Sequence, residues 1–99
     1  MNKQTEKLEA FLTDDSNFIS KLRFLDGLDK DNLQAFMSLL DDIGSEIKDK
    51  QLIEKKLAFL LIEVVPTLMS IEASYADKEH EDIVNAIAQV STKIVAVLS

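Results

Sequence analysis

Ninety-nine residues, 46% apolar and 29% charged, suffice for one hydrophobic core and not for two. Two glycines, one proline and no cysteine exclude disulfides and thiolate metal sites and disfavour a turn-rich all-β fold. A net charge of −7 opposes nucleic-acid phosphate and anionic membrane surfaces, so neither is an expected partner, and it favours a cationic one. The expected architecture is all-α: a single domain over residues 1–99, a compact bundle of about five helices.

The opening MNKQTEKLEAF has no apolar stretch of the kind a secretory leader needs, so the expected compartment is the cytoplasm. Thr5, Leu8, Phe11 and Leu12 fall at helical spacing and predict a first helix from about Lys3 to Thr13. Asp14, Asp15 and Ser16 interrupt it, with Asp15 or Ser16 as the expected N-cap of a second helix. That helix carries Phe18, Ile19, Leu22 and Leu25. Gly27 is expected at its left-handed C′ position, with Leu28 folding back on it.

Asp29 is the expected cap of a third helix, whose stripe is Leu33, Phe36, Met37, Leu40 and Ile43 and whose end is set at Gly44. A fourth helix spans about 49–72. Leu52, Ile53, Leu57, Leu60, Leu61, Val64, Val65 and Leu68 form a wide face, and Phe59 and Ile62 lie opposite. Apolar residues all round predict a helix covered on most sides, the central element of the fold. Its run is too short for a membrane span of about twenty residues and is interrupted by Glu63 and Pro66. Pro66 cannot bond to the Ile62 carbonyl, so a kink is expected near it. Glu63 is expected either to point outward or to pair with Arg23 or Lys93.

Ser74 and Asp77 are candidate caps for a fifth helix, about Asp77 to Leu98. Ile83, Ile87, Val90, Ile94 and Leu98 form one row, beside Val84, Ala88, Ser91 and Val95. Its many β-branched residues suit a strand, but spacings of three and four decide for helix.

Catalytic chemistry finds little support. His80, the one histidine, sits in DKEHED, where Asp77, Glu79, Glu81 and Asp82 complement the positive end of the helix dipole. One histidine with carboxylates at helix spacing is a weak metal signal. DGLDKDNL fails as a calcium loop because leucines fall at ligand positions. SEIK matches Ser-x-x-Lys without the other motifs that chemistry requires, and neither a P-loop nor a dinucleotide fingerprint occurs. The expectation is a protein that is not an enzyme and holds no cofactor and no metal.

The remaining signal is acidic clustering. Residues 29–50 carry six acids against three lysines, and residues 74–99 carry four against two. Asp41 and Asp42 approach the C-terminal end of the third helix, where the dipole disfavours anions. The expected partner-binding residues are Asp41, Asp42, Glu46, Asp49, Asp77, Glu79, Glu81 and Asp82, facing a basic protein. Composition leaves the oligomeric state open. In size, charge and helical class the chain resembles immunity proteins and antitoxins that neutralise nuclease toxins, with no shared motif. The resemblance implies a small acidic inhibitor that occludes the toxin's active or nucleic-acid-binding site. The alternative is a helical adaptor or secretion chaperone, dimeric or not, using an apolar groove beside the fourth helix.

Overall fold

Helical spacing of the apolar residues dictates most of the backbone. The computed structural model describes residues 3–50 and 52–99. It contains α1 (Lys3–Thr13), α2 (Phe18–Arg23), α3 (Lys30–Ile47), α4 (Lys55–Glu72) and α5 (Asp77–Leu98), and no strand among the described residues. Four of these are long. The second, six residues, is a connector, so the bundle is one of four helices where about five were expected.

The boundaries that moved did so for identifiable reasons. Neither Asp15 nor Ser16 caps α2. Asn17 does: its Oδ1 accepts the Ser20 N–H at 2.8 Å while its Nδ2 donates to the Phe11 carbonyl at 2.8 Å. One buried side chain thus satisfies groups at the end of α1 and the start of α2. Helix α2 stops at Arg23, not beyond Leu25. The Asp26 N–H bonds to the Lys21 carbonyl at 2.8 Å and the Leu25 N–H to the Leu22 carbonyl at 3.0 Å. That pair of bonds is a Schellman motif with Leu25, not Gly27, at C′. Leu25 accordingly has φ +62°, and Gly27 follows at φ +88°.

Asp29 caps α3 as expected, its Oδ1 accepting the Asn32 N–H at 3.0 Å. Gly44 does not end that helix. The helix continues to Ile47, which is buried with Ile43 on the same face. Burying an isoleucine stabilises by about 1.5–3 kcal/mol and outweighs the roughly 1 kcal/mol penalty of a mid-helix glycine. Gly44 serves packing instead: a Cβ there would meet Val97 Cγ2 at 3.4 Å.

The fourth helix starts at Lys55 and not near 49, because the chain must reverse after α3. The part of its expected start that falls on Gln51 lies outside the described residues. Leu52, expected on its buried face, is 88% exposed. Helix α4 runs without interruption through Pro66 to Glu72. The cap of α5 is neither Ser74 nor Asp77; Ala76 occupies that position without a side-chain bond.

Helices α3 and α5 lie side by side and run in the same direction. Near their starts Leu33 and Gln34 share a cleft with Asp82 and Ala86. Further along, Asp41 meets Lys93 and Gly44 meets Val97. Helix α4 returns between them in sequence and packs on α5 and α1, while α3 packs on α5 and α1. The ring α1–α3–α5–α4 encloses Leu8, Phe36, Leu40, Leu57, Leu61, Leu68 and Val90. Phe36 anchors one end, its ring 5.1 Å from Phe11 and 5.5 Å from Phe18. No helix is surrounded. Helix α4 buries Leu57, Leu61, Val64, Leu68 and Ile71, but leaves Phe59, Ile62 and Met69 more than half exposed. No helix among the described residues is long and apolar enough to cross a membrane.

Candidate functional site

The acidic residues fall into two groups at opposite ends of the molecule. Because α3 and α5 are parallel, the C-terminal acids of α3 lie far from the N-terminal acids of α5. Asp41 sits opposite Lys93, eleven residues beyond Asp82 on α5, or about 16 Å along the axis. Asp41, Asp42, Glu46 and Asp49 therefore do not form one surface with Asp77, Glu79, Glu81 and Asp82.

At the α5 end Asp82 is committed within the chain, and Asp77, Glu79 and Glu81 are exposed without an ion pair among the described residues. Asp82 pairs with Lys78, one helical turn earlier, at 2.8 Å. The Lys78 hydrogen bond holds the Asp82 carboxyl below the usual carboxylate range, and the Lys30 charge adds to this. Asp77 is held at φ +55°, a conformation aspartate tolerates better than most residues. His80 is half-buried, and its backbone N–H donates to the Ala76 carbonyl at 3.3 Å. No group of three or more histidines and carboxylates is arranged to hold a metal among the described residues.

At the α3 end one acid is committed and three are not. Asp41 pairs with Lys93 at 2.7 Å. Asp42, Glu46 and Asp49 are exposed and have no ion pair among the described residues. Asp42 and Glu46 stand one turn apart on α3 and border a shallow cleft shared with Lys3 and Lys7 of α1. Like charges at this spacing repel, and both face the negative end of the helix dipole.

Glu63 points outward, as one of its two expectations had it. It lines a cleft between α4 and α1–α2 together with Leu12, Ile19 and Arg23. Lys93, the other candidate partner, is taken by Asp41.

Sequence reasoning passed over two features. The first is the polar junction at α2. Besides the Asn17 cap, the Phe18 N–H donates to Asn32 Oδ1 at 2.7 Å, and Lys21 pairs with Asp29 at 2.6 Å. The Tyr75 hydroxyl donates to the Leu22 carbonyl at 2.8 Å and accepts the Gly27 N–H at 3.2 Å. The second is the exposed apolar side of α5, which lies beside that of α4, where an apolar groove was the alternative expectation. The signal of both sides was present as long runs nearly free of charge, 57–71 and 83–98.

No family model, no curated protein and no solved structure matches the chain. The fold and surface define it as a small all-α bundle with shallow clefts and exposed carboxylates.

Proposed function

We propose that this chain is a non-catalytic, acidic protein-binding module that holds a basic partner against the C-terminal end of α3. The form that best suits it is an immunity- or antitoxin-type inhibitor covering the active or nucleic-acid-binding site of a nuclease-like toxin. The observation that supports this is the state of Asp42, Glu46 and Asp49. They are exposed and free of ion pairs among the described residues, where helix dipole and mutual repulsion both work against them. Lysines and arginines of a partner would relieve both costs and be steered to the site by the net charge of −7.

The test is affinity capture with the wild type and with Asp42→Lys/Glu46→Lys, followed by association kinetics on the captured protein. A cationic protein should be retained by the wild type and lost by the variant. Its association rate should fall at least about tenfold between 50 mM and 500 mM salt. An association rate indifferent to salt would overturn the reading.

One observation favours the second reading, a helical adaptor or secretion chaperone. Phe59, Ile62 and Met69 expose an apolar strip on α4, the kind of surface such a protein would use.

A further inference from the structure

The outer side of the α4–α5 pair differs from the rest of the surface. On α4, Phe59, Ile62, Pro66 and Met69 follow one another at spacings of three, four and three, and all are exposed. On α5, Val84, Ala88, Ser91 and Val95 follow at four, three and four, and all but Ser91 are exposed. These are the spacings of a seam between helices crossing at about 20°. By contrast the outward residues of α3 include Asp31, Gln34, Ser38, Asp42 and Glu46.

The two stripes lie on the same side of the molecule. At about 100° per residue, the α5 stripe sits some 100° round from the buried row Ile83, Ile87, Val90 and Ile94. The opposite flank of α5 is the one turned to α3, because it carries Lys93, which meets Asp41, and Asp82, which shares a cleft with Leu33. The stripe flank therefore faces α4. On α4, Glu63 and Leu60 mark the flank turned to α1 and α2, since they share a cleft with Leu12 and Arg23. Ile62 and Met69 lie on the other flank, toward α5. The antiparallel α4–α5 hairpin thus presents a joint apolar strip.

That strip is free of charge in a protein with 29 ionised Lys, Arg, Asp and Glu side chains. Glu63 and Lys93 are the only charged residues in 57–71 and 83–98; Lys93 lies on the far flank of α5, and Glu63 borders the strip on its α1–α2 edge, one turn from Phe59 and Pro66.

We infer that this face is closed by a second copy of the same chain, in a two-fold dimer that packs α4 and α5 of one protomer on α4 and α5 of the other. Three observations select that occupant. Each copy carries −7, and over this face two copies meet without setting carboxylates opposite carboxylates. At their fractional exposures, Phe59, Ile62, Met69, Val84 and Val95 leave on the order of 500 Å² open. With Pro66, Ala88 and their neighbours the strip approaches the ~800 Å² per partner of a standard stable interface. The small residues Ala88 and Ser91, at the middle of the α5 stripe, let helix backbones approach across a two-fold axis. The acids of the proposed partner site lie between α3 and α1, on the far side of the bundle, so the two sites operate independently.

Sedimentation equilibrium of the purified chain across a concentration series tests this, with Ile62→Glu and Val95→Glu as variants. Both positions are exposed, so each variant should keep the helical circular dichroism and melting temperature of the wild type. The expected result is a wild-type mass twice 11.1 kDa. Each variant should raise the dimer dissociation constant at least about 100-fold, since it sets like charges against each other across the axis. Mixing Ile62→Lys/Val95→Lys with Ile62→Glu/Val95→Glu should restore the dimer. A wild type that stays monomeric at millimolar concentration overturns the inference, as does a dimer that both Glu variants leave intact. Because Asp42 and Glu46 are unchanged in these variants, loss of the dimer with retained capture of a cationic protein separates the two proposals.

Discussion

Lys93 on α5 reaches Asp41 on α3 at 2.7 Å, across 52 residues of sequence. The bond ties the parallel helices together near the end where Gly44 and Val97 meet. It also takes Asp41 out of the set of carboxylates open to a partner, and Lys93 out of the set of partners for Glu63. The pair is partly exposed, the lysine at 31% and the aspartate at 61%, and such pairs contribute modestly. Asp41→Ala should lower the unfolding free energy by less than about 1 kcal/mol at low salt. The loss should shrink further in 1 M salt, as denaturant melts at the two ionic strengths would show.

Leu25 and Gly27 set opposite expectations for the turn after α2. Leu25 holds φ +62° with its side chain 63% exposed, so nothing in the core repays the strain. Leu25→Gly should stabilise the protein by about 0.5–1 kcal/mol, because glycine occupies this region freely. Gly27 holds φ +88°, and a Cβ there would meet nothing within 4 Å. Gly27→Ala should therefore destabilise by about 1 kcal/mol through backbone strain alone. Urea melts of the two variants should move in opposite directions. A neutral Leu25→Gly would mean that the turn is held for contacts the exposed side chain makes elsewhere.

The Lys21–Asp29 pair links α2 to the cap of α3 and should shape the acid limb of stability. The hydrogen bond from Lys21 holds the Asp29 carboxyl below its ordinary value, and the Asn32 N–H holds it lower still. A carboxyl depressed in the folded state stabilises fully above its unfolded value of about 4. That stabilisation is lost as pH falls through the lower folded value. Asp29→Asn keeps a capping oxygen but no titration, so its melting temperature should fall less steeply than that of the wild type between about pH 4 and pH 2. Lys21 is raised by the same bond, so its share is present below about pH 10.4 and disappears above the folded value. Thermal melts from pH 2 to pH 11 would follow both limbs.

Helix class and most of the core were legible in the residues. The rows Leu33, Phe36, Leu40, Ile43 and Ile83, Ile87, Val90, Ile94 repeat at three and four, and a helix is the one element that puts such rows on one face. The limits of α1 and α5 and the Asp29 cap follow from local chemistry and stand as read. Gly27 and Gly44 misled because a glycine in a sequence marks freedom without saying how it is used. At Gly44 that freedom serves the approach of Val97, a residue 53 positions away.

The acidic site shows the same division. Composition alone determined an excess of carboxylates and the segments that carry them, because charge is a property of the chain. Whether those segments meet depended on the direction of α5 relative to α3, which only the packed bundle decided. That direction placed Asp42 and Glu46 at one end and Asp77 to Asp82 at the other, and it spent Asp41 on Lys93. Tertiary packing also decided which apolar residues were left over. Phe59, Ile62, Val84 and Val95 read as core in one dimension. They lie outside because a four-helix ring can enclose only one face of each helix.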